Sequence, residues 1–195
     1  MKTFAMAMLG AALVLPTIAH ADQGDILVRG RVAYVKPDVK SKLSNLDVKD
    51  DTIPELDFSY FVHKNAAVEL ILGTSRHEVT LGGASLGKVS VLPPTLTVQY
   101  HPTPEATVRP YFGAGLNYTR FYRIGLANGA LTVDKNSFGP ALQAGLDISI
   151  DKRSFVNFDA KKIWMKTDVK DSAGSTVTEL KLDPYVLSVG YGWRF

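Results

Sequence analysis

The chain ends in the stretch LDPYVLSVGYGWRF, Leu182–Phe195, and this stretch decides the fold. Every second residue from Tyr185 to Phe195 is large and apolar or aromatic, and the residues between them are mostly small or polar. A period of two indicates a β-strand with one apolar face. Aromatic residues gather at its end, which is typical of strands that cross an outer membrane. A buried strand of a soluble protein is the alternative interpretation.

The first residues have the pattern of a secretory signal peptide. Lys2 supplies a positive charge, Phe4–Pro16 is apolar, and Ala19-His20-Ala21 matches a small-x-small cleavage site. We predict that residues 1–21 are removed by cleavage after Ala21, which leaves residues 22–195 as one exported barrel domain. No other stretch approaches the ~18 continuous apolar residues of a membrane helix. Any membrane crossing must therefore be made by strands.

Composition narrows the class of function. The formal net charge falls from +3 to +2 when Lys2 is removed, and the absence of a lysine-rich patch argues against nucleic-acid binding. The chain has no cysteine, which excludes disulfides and thiolate metal sites. No carboxylate–histidine spacing resembles a metal site, and the glycines of Gly113-Ala114-Gly115 lie inside a predicted strand. We therefore predict neither metal nor cofactor.

Alternating segments of the same kind recur along the mature chain. Eight of them predict strands over Gly24–Lys36, Ile53–Val62, Ala66–Val79, Val91–His101, Arg109–Ile124, Phe138–Ile150, Phe155–Thr167 and Leu182–Phe195. The connections alternate between short and long, as do the periplasmic turns and outer loops of outer-membrane barrels. The prediction is an all-β, eight-stranded antiparallel up-and-down transmembrane β-barrel in the cell outer membrane, surrounded by outer-membrane lipid.

Several segments resemble the outer membrane protein W family. They are LPPTLTVQYH at Leu92–His101, PYFGAGLNY at Pro110–Tyr118 and the triplet Asp183-Pro184-Tyr185, with Ala141–Asp147 and Val156–Asp159 also fitting. The resemblance covers nearly the whole mature chain, and its Leu-Pro-Pro motif is fairly specific. It implies an eight-stranded outer-membrane barrel associated with the uptake of small hydrophobic molecules. The terminal Phe195 is similar to the signal read by the barrel assembly machinery, which is therefore an expected partner.

Inward-facing residues of the periplasmic half are mostly charged or polar. In a lumen only wide enough for side chains, their charges must pair, because an isolated buried charge is very costly. We predict a lumen plug made of Arg29, Arg31, Asp57, Glu69, Asp147, Asp159, Lys161 and Arg194.

Inward-facing residues of the outer half are mostly apolar. They predict a ligand pocket for a small hydrophobic solute, lined by Val35, Ile53, Val91, Phe121, Ile163, Met165 and Val186. The alternative is that these side chains merely fill the interior of a small barrel.

Two adjacent prolines, Pro93 and Pro94, stand inside the fourth predicted strand. Neither can donate to a neighbouring strand, and central strands normally exclude proline. We predict that they weaken the wall and form a lateral opening, through which a hydrophobic solute passes from the pocket into lipid. The alternative is a bulge that only shapes the wall.

These features predict a channel for passive uptake of small hydrophobic molecules. The second hypothesis is a structural or receptor barrel that acts through its extracellular loops, since Lys40–Asp51 and Val169–Glu179 are polar and suited to lipopolysaccharide. An enzymatic role is not predicted. Ser75 and His77 share a face near the outer rim with Glu78 opposite, but a nucleophile needs a base and an orienting group in a defined geometry. We expect His77 to be a surface residue.

Overall fold

The computed structural model describes residues 23–195, which form one closed antiparallel barrel. The predicted signal peptide and its cleavage after Ala21 lie outside the described residues. Within residues 23–195, no helix is both long and apolar enough to span a membrane.

Fifteen strands and one short 3₁₀ turn at Ala127–Gly129 make up the described chain. In chain order, the strands are β1 (Ile26–Lys36), β2 (Lys40–Ser41), β3 (Leu46–Val48), β4 (Asp51–His63), β5 (Ala66–Gly73), β6 (Ser75–Leu81), β7 (Ala84–Leu92), β8 (Thr95–Tyr100), β9 (Val108–Leu126), β10 (Leu131–Val133), β11 (Asn136–Ser149), β12 (Ser154–Ile163), β13 (Lys166–Asp171), β14 (Thr176–Lys181) and β15 (Tyr185–Arg194).

Eight of these strands close the barrel wall. They pair in the order β1, β4, β5, β8, β9, β11, β12 and β15, each antiparallel to the next. β15 then pairs back with β1, from Leu27–Arg194 to Lys36–Tyr185. Closure leaves no strand edge for lipid to meet. The structure confirms the predicted eight-stranded antiparallel barrel.

The other strands extend the wall at the end opposite the termini. β6 and β7 form a hairpin that prolongs β5 and β8, and β13 and β14 do the same for β12 and β15. β3 pairs with β6, β10 with β13, and β2 with β14. Residues 37–52, 125–136 and 170–181, which lie outside the eight predicted strands, therefore contain short strands that were not predicted. These strands are short and largely polar, so their alternation is weak, and their inward apolar residues, such as Val133, Val169 and Leu180, become visible as a core only in the folded barrel.

The outer surface of the ring is apolar and carries aromatic residues at both ends. The aromatic residues form two belts around the ring, one near the termini and one at the opposite end. Between these belts, lipid-facing side chains are exposed, such as Leu56, Leu96, Leu116, Leu142 and Leu187. The belt near the termini contains Tyr60, Tyr100, Trp193 and Phe195, and the opposite belt contains Tyr34, Tyr118, Phe138 and Tyr185. An apolar band flanked by aromatic girdles is what a membrane-spanning barrel requires.

Candidate functional site: a layered lumen and an interrupted wall

Arg29 is the centre of a buried charged layer in the lumen. Its Nη2 lies 2.9 Å from Asp147 Oδ2, and its Nη1 lies 3.1 Å from Asp57 Oδ1 and 3.3 Å from Glu69 Oε1. Nη1 also donates to Ser59 Oγ at 2.7 Å. Because these residues come from β1, β4, β5 and β11, one guanidinium ties four strands of the ring together.

Arg31 and Lys161 continue this layer towards the outer half of the barrel. Arg31 Nη1 lies 3.1 Å from Glu55 Oε1, and its Nη2 lies 3.3 Å from Glu69 Oε1. Lys161 Nζ lies 2.7 Å from Glu55 Oε1 and 2.8 Å from Asp159 Oδ1. Every charge in this group has an opposite partner, which offsets the desolvation that burial imposes.

The charged layer contains all the predicted plug residues except Arg194. Arg194 lies at the rim near the termini, where its Nη1 is 3.6 Å from Asp25 Oδ2 and its Nη2 donates to the Lys152 carbonyl at 3.1 Å. Its placement in the plug is therefore wrong. The alternation correctly predicted that Arg194 is on the lumen face of its strand, but the residue is the last one of β15 and so lies at the rim. The predicted plug omitted other members of the layer, among them two that contact its charged groups directly. Glu55 and Tyr111 are both inward in the alternation, and the Tyr111 hydroxyl donates to Asp159 Oδ2 at 2.7 Å.

An apolar layer lies between the charged layer and the periplasmic end. It consists of the buried side chains of Leu27, Phe61, Ala67 and Phe155. The ring centroids of Phe61 and His101 are 4.8 Å apart, so aromatic packing extends this layer. The sequence did not predict it. Together the two layers fill the lumen on the side of the termini.

An apolar cavity of about 140 Å³ occupies the outer half of the barrel. All seven predicted pocket residues line it: Val35, Ile53, Val91, Phe121, Ile163, Met165 and Val186. Glu55 and Lys161 of the charged layer also border the cavity and form its floor. An apolar cavity of similar size, about 150 Å³, is known to hold benzene in an engineered protein.

The barrel wall is interrupted beside this cavity. β5 and β8 are paired up to Ile71 and Thr95, and β6 and β7 resume at Ser75 and Val91. Residues 72–74 and 92–94 lie between these pairs without a shift of register, and neither proline at positions 93 and 94 has an N–H to donate. Gly73 and Pro93, which face each other at the middle of the interruption, both line the cavity.

The neighbouring strand β9 compensates for the prolines on its own side. Tyr118 donates its backbone N–H to the Pro94 carbonyl at 3.0 Å. The side-chain amide of Asn117 donates to the Pro93 carbonyl at 3.1 Å and to Thr95 Oγ1 at 2.9 Å. The sequence predicted lost donors towards both neighbours, but the proline carbonyls still accept. The interruption therefore faces β5 and β6 alone.

A third proline, not singled out in the sequence, lies on the other side of the same stretch. The β4–β5 ladder ends at the pair Glu55–Gly73, and Pro54 follows it on β4. Beyond it, the Arg76 N–H donates to the Asp51 carboxylate at 2.8 Å instead of joining a backbone ladder. Thr74 consequently belongs to no strand.

Side chains bridge the interruption on the outside of the wall. The Thr74 hydroxyl donates to the Val91 carbonyl at 3.2 Å. The Tyr122 hydroxyl lies 2.7 Å from Thr74 Oγ1. Because Thr74 has used its only proton, Tyr122 is the donor in this contact. This chain of hydrogen bonds, which we call the Tyr122–Thr74 bridge, links the two sides of the interruption through side chains.

His77 is buried and not on the surface, which corrects the expectation. It is 6% exposed, and its Nε2 lies 2.9 Å from Ser75 Oγ. Its Nδ1 lies 2.8 Å from the carbonyl oxygen of Lys49, just beyond β3, which covers β6. The expectation failed because β3 was predicted to be part of a loop.

These features define an outer-membrane β-barrel with a layer of buried ion pairs in its lumen and an apolar cavity near its outer end. The chain belongs to the OmpW family, whose model matches residues 18–195. It is therefore an outer-membrane protein of the Gram-negative type.

Individual relatives agree with this assignment. The outer-membrane protein y4mB of Sinorhizobium fredii is 40% identical over 211 residues, covering 98% of this chain and 92% of that protein. The dibenzothiophene metabolism operon protein PahQ of Pseudomonas aeruginosa is 32% identical over 156 residues, covering 76% of this chain and 74% of that protein. The crystal structure of the outer membrane protein OprG from Pseudomonas aeruginosa is similar with a TM-score of 0.79 at 29% identity, covering 91% of this chain and 98% of that one.

Proposed function

We propose that this barrel takes up small hydrophobic molecules passively. The solute enters the apolar cavity from the extracellular side and leaves sideways into the membrane through the interruption beside Pro93 and Pro94. The observation that carries the proposal is the position of Gly73 and Pro93. These residues stand at the middle of the interruption and also line the cavity. The pocket and the lateral exit are therefore adjacent.

The closed periplasmic half supports a sideways exit. A solute moving straight through the barrel would have to separate the ion pairs of Arg29, Arg31 and Lys161 from their carboxylates. Breaking one partner from a buried pair costs about 3–5 kcal/mol. It would then have to part the apolar layer around Phe61 and Phe155. Opening the interruption requires only the Tyr122–Thr74 bridge to break, since backbone bonds are already absent there.

The cavity also indicates the class of solute. Its lining is almost entirely apolar, and its volume of about 140 Å³ suits a single aromatic ring or a short alkyl chain. The relative PahQ is named for a dibenzothiophene metabolism operon, and dibenzothiophene is an apolar aromatic. The partners in this function are the solute, the outer-membrane lipid that receives it, and the lipopolysaccharide around the extended strands. We propose no enzymatic activity, no cofactor and no metal.

A structural or receptor role through the extracellular extension is the second candidate. It is favoured by the ordered, polar surface of β13 and β14, where Lys166 Nζ lies 3.0 Å from Glu179 Oε2. Lys170 of β13 also pairs with Asp134. A sheet with exposed paired charges can present a fixed surface to lipopolysaccharide or to another molecule, and it requires no transport through the cavity.

Uptake by cells with an intact outer membrane tests the proposal. Radiolabelled p-xylene and a radiolabelled pentose are given to cells that contain or lack the protein. We expect faster uptake of p-xylene alone. Equal enhancement of both solutes would mean an aqueous pore and would contradict the blocked lumen. No enhancement of either would favour the structural or receptor role.

A further inference from the structure

One polar pair interrupts the apolar lining of the cavity. Ser75 and His77 lie on the inward face of β6, are each 6% exposed, and both border the cavity. The uptake of apolar solutes does not require them. Burying polar groups is costly unless they form hydrogen bonds, and these two side chains meet that condition through each other and through the Lys49 carbonyl.

The contacts of His77 fix the direction of each hydrogen bond. The Lys49 carbonyl can only accept, so Nδ1 of His77 carries the proton in their 2.8 Å contact. In the neutral ring, Nε2 is then the acceptor, and Ser75 donates its hydroxyl proton to it across 2.9 Å. The Ser75 oxygen keeps its lone pairs, and what it offers to the cavity is a hydrogen-bond acceptor.

The other polar groups of the lining are engaged in the structure. Thr95 Oγ1 donates to the Pro93 carbonyl and accepts from Asn117. Glu55 and Lys161 pair with each other. The Thr167 hydroxyl donates to the Asp134 carbonyl at 2.9 Å, on a strand away from the interruption. Ser75 differs in position, because it is the first paired residue above the interruption and lies opposite Val91.

We infer that Ser75, oriented by His77, is a binding site for the hydroxyl group of a small aromatic or aliphatic alcohol. The apolar part of the solute occupies the cavity, and its O–H donates to Ser75 Oγ at the entrance to the lateral exit. This inference rests on the proposed function and deepens it by naming the solute class, alcohols and phenols in preference to hydrocarbons of the same shape.

Two solutes of matched shape test the inference. p-Cresol and p-xylene differ only by a hydroxyl in place of a methyl group, and their dissociation constants are measured by NMR titration of the full barrel in lipid nanodiscs. The relevant quantity is the ratio of the two affinities, compared between variants, because the lipid partitioning of each solute is the same for every variant and cancels in that comparison. In Ser75→Ala we expect p-xylene binding to be retained and the preference for p-cresol to fall by about three- to tenfold, the value of one hydrogen bond.

Two further variants keep the test specific. Ser75→Thr preserves the hydroxyl and should preserve the preference for p-cresol. Thr167→Val removes another hydroxyl that borders the cavity, away from the interruption, and should leave the preference unchanged. An unchanged preference in Ser75→Ala, or a loss in Thr167→Val instead, overturns this inference while the proposed function stands. If neither solute binds the wild-type barrel, the proposed function and the inference both fail.

Discussion

Arg29 on β1 and Asp147 on β11 join opposite walls of the barrel. Arg29 Nη2 lies 2.9 Å from Asp147 Oδ2, its Nε lies 3.4 Å from Oδ1, and both side chains are fully buried. Around the ring, β15 and β12 separate these two strands on one side, and β4, β5, β8 and β9 separate them on the other. The pair therefore spans the lumen.

Replacing Arg29 should destabilise the barrel strongly. Arg29→Leu leaves three carboxylates, Asp57, Glu69 and Asp147, without their shared cation. We expect the free energy of unfolding to fall by about 3–5 kcal/mol, as for other broken buried pairs. Urea unfolding in lipid vesicles, followed by the electrophoretic shift between folded and unfolded barrel, measures the change.

Arg194 provides the matched control for this prediction. Its partner Asp25 lies at the rim, and both side chains are partly exposed. Arg194→Leu should therefore change the free energy of unfolding by about 1 kcal/mol or less. Equal losses in the two variants would show that the charged layer has no special role in stability.

The Tyr122–Thr74 bridge should limit the rate of lateral exit. Tyr122→Phe removes the hydroxyl that donates to Thr74 and weakens the outer side of the interruption. Because one hydrogen bond contributes about 0.5–1.5 kcal/mol, we expect p-xylene uptake to rise by about two- to tenfold. Tyr118→Phe is the control, since the Tyr118 hydroxyl donates to Asn136, away from the interruption. If Tyr122→Phe behaves like the control, the bridge does not restrain the exit.

A side chain at position 73 should block the passage between cavity and exit. A Cβ at Gly73 would lie 3.3 Å from Ile53 Cδ1, the flexible end of a side chain, so the added Cβ requires only a small shift of that side chain. We expect Gly73→Leu to reduce p-xylene uptake to the level of cells without the protein. Gly30 faces outward with open space around it, and Gly30→Leu should leave uptake unchanged. Normal uptake by Gly73→Leu would place the exit elsewhere.

Phe195 should matter for assembly and not for stability. Its backbone pairs with Ile26 on β1, while its side chain is 74% exposed and contributes little packing. We expect most Phe195→Ser protein to be missing from the outer membrane, although the purified variant refolds normally. Phe138→Ser, which also alters a lipid-facing phenylalanine, serves as the control. Quantitative blots of outer-membrane fractions measure both variants. Equal amounts of Phe195→Ser and wild-type protein would exclude an assembly signal at this residue.

The alternation of residues predicted the ring and the facing of its side chains. Each ring strand has one apolar face towards lipid and one face towards the lumen. The alternation therefore places residues such as Arg29, Asp147 and Phe121 in the lumen. The depth of a residue in the lumen is harder to predict than its facing, because depth depends on where the strand ends. Arg194 has the inward phase, yet it lies at the rim because β15 ends there.

Features built from several segments could not be predicted in this way. β3 and β10 are three residues each, too short to show a period, and they pair with strands far away in sequence. The burial of His77 depends on β3, and the break in pairing at Thr74 depends on Pro54 of β4 and on Pro93, which lies between β7 and β8. These relationships follow from the register of the ring, which the sequence alone does not specify.

The most direct test of the account is to close the interruption and measure uptake. Pro93→Thr combined with Pro94→Val restores two backbone donors, while Pro140→Val alters a proline of β11 on another part of the wall. We predict that the double variant takes up p-xylene about two- to tenfold more slowly than wild type, because position 94 faces β9 and only the donor at position 93 points across the interruption, where one hydrogen bond contributes about 0.5–1.5 kcal/mol. Pro140→Val should match wild type. Wild-type uptake by a folded double variant would contradict the lateral exit.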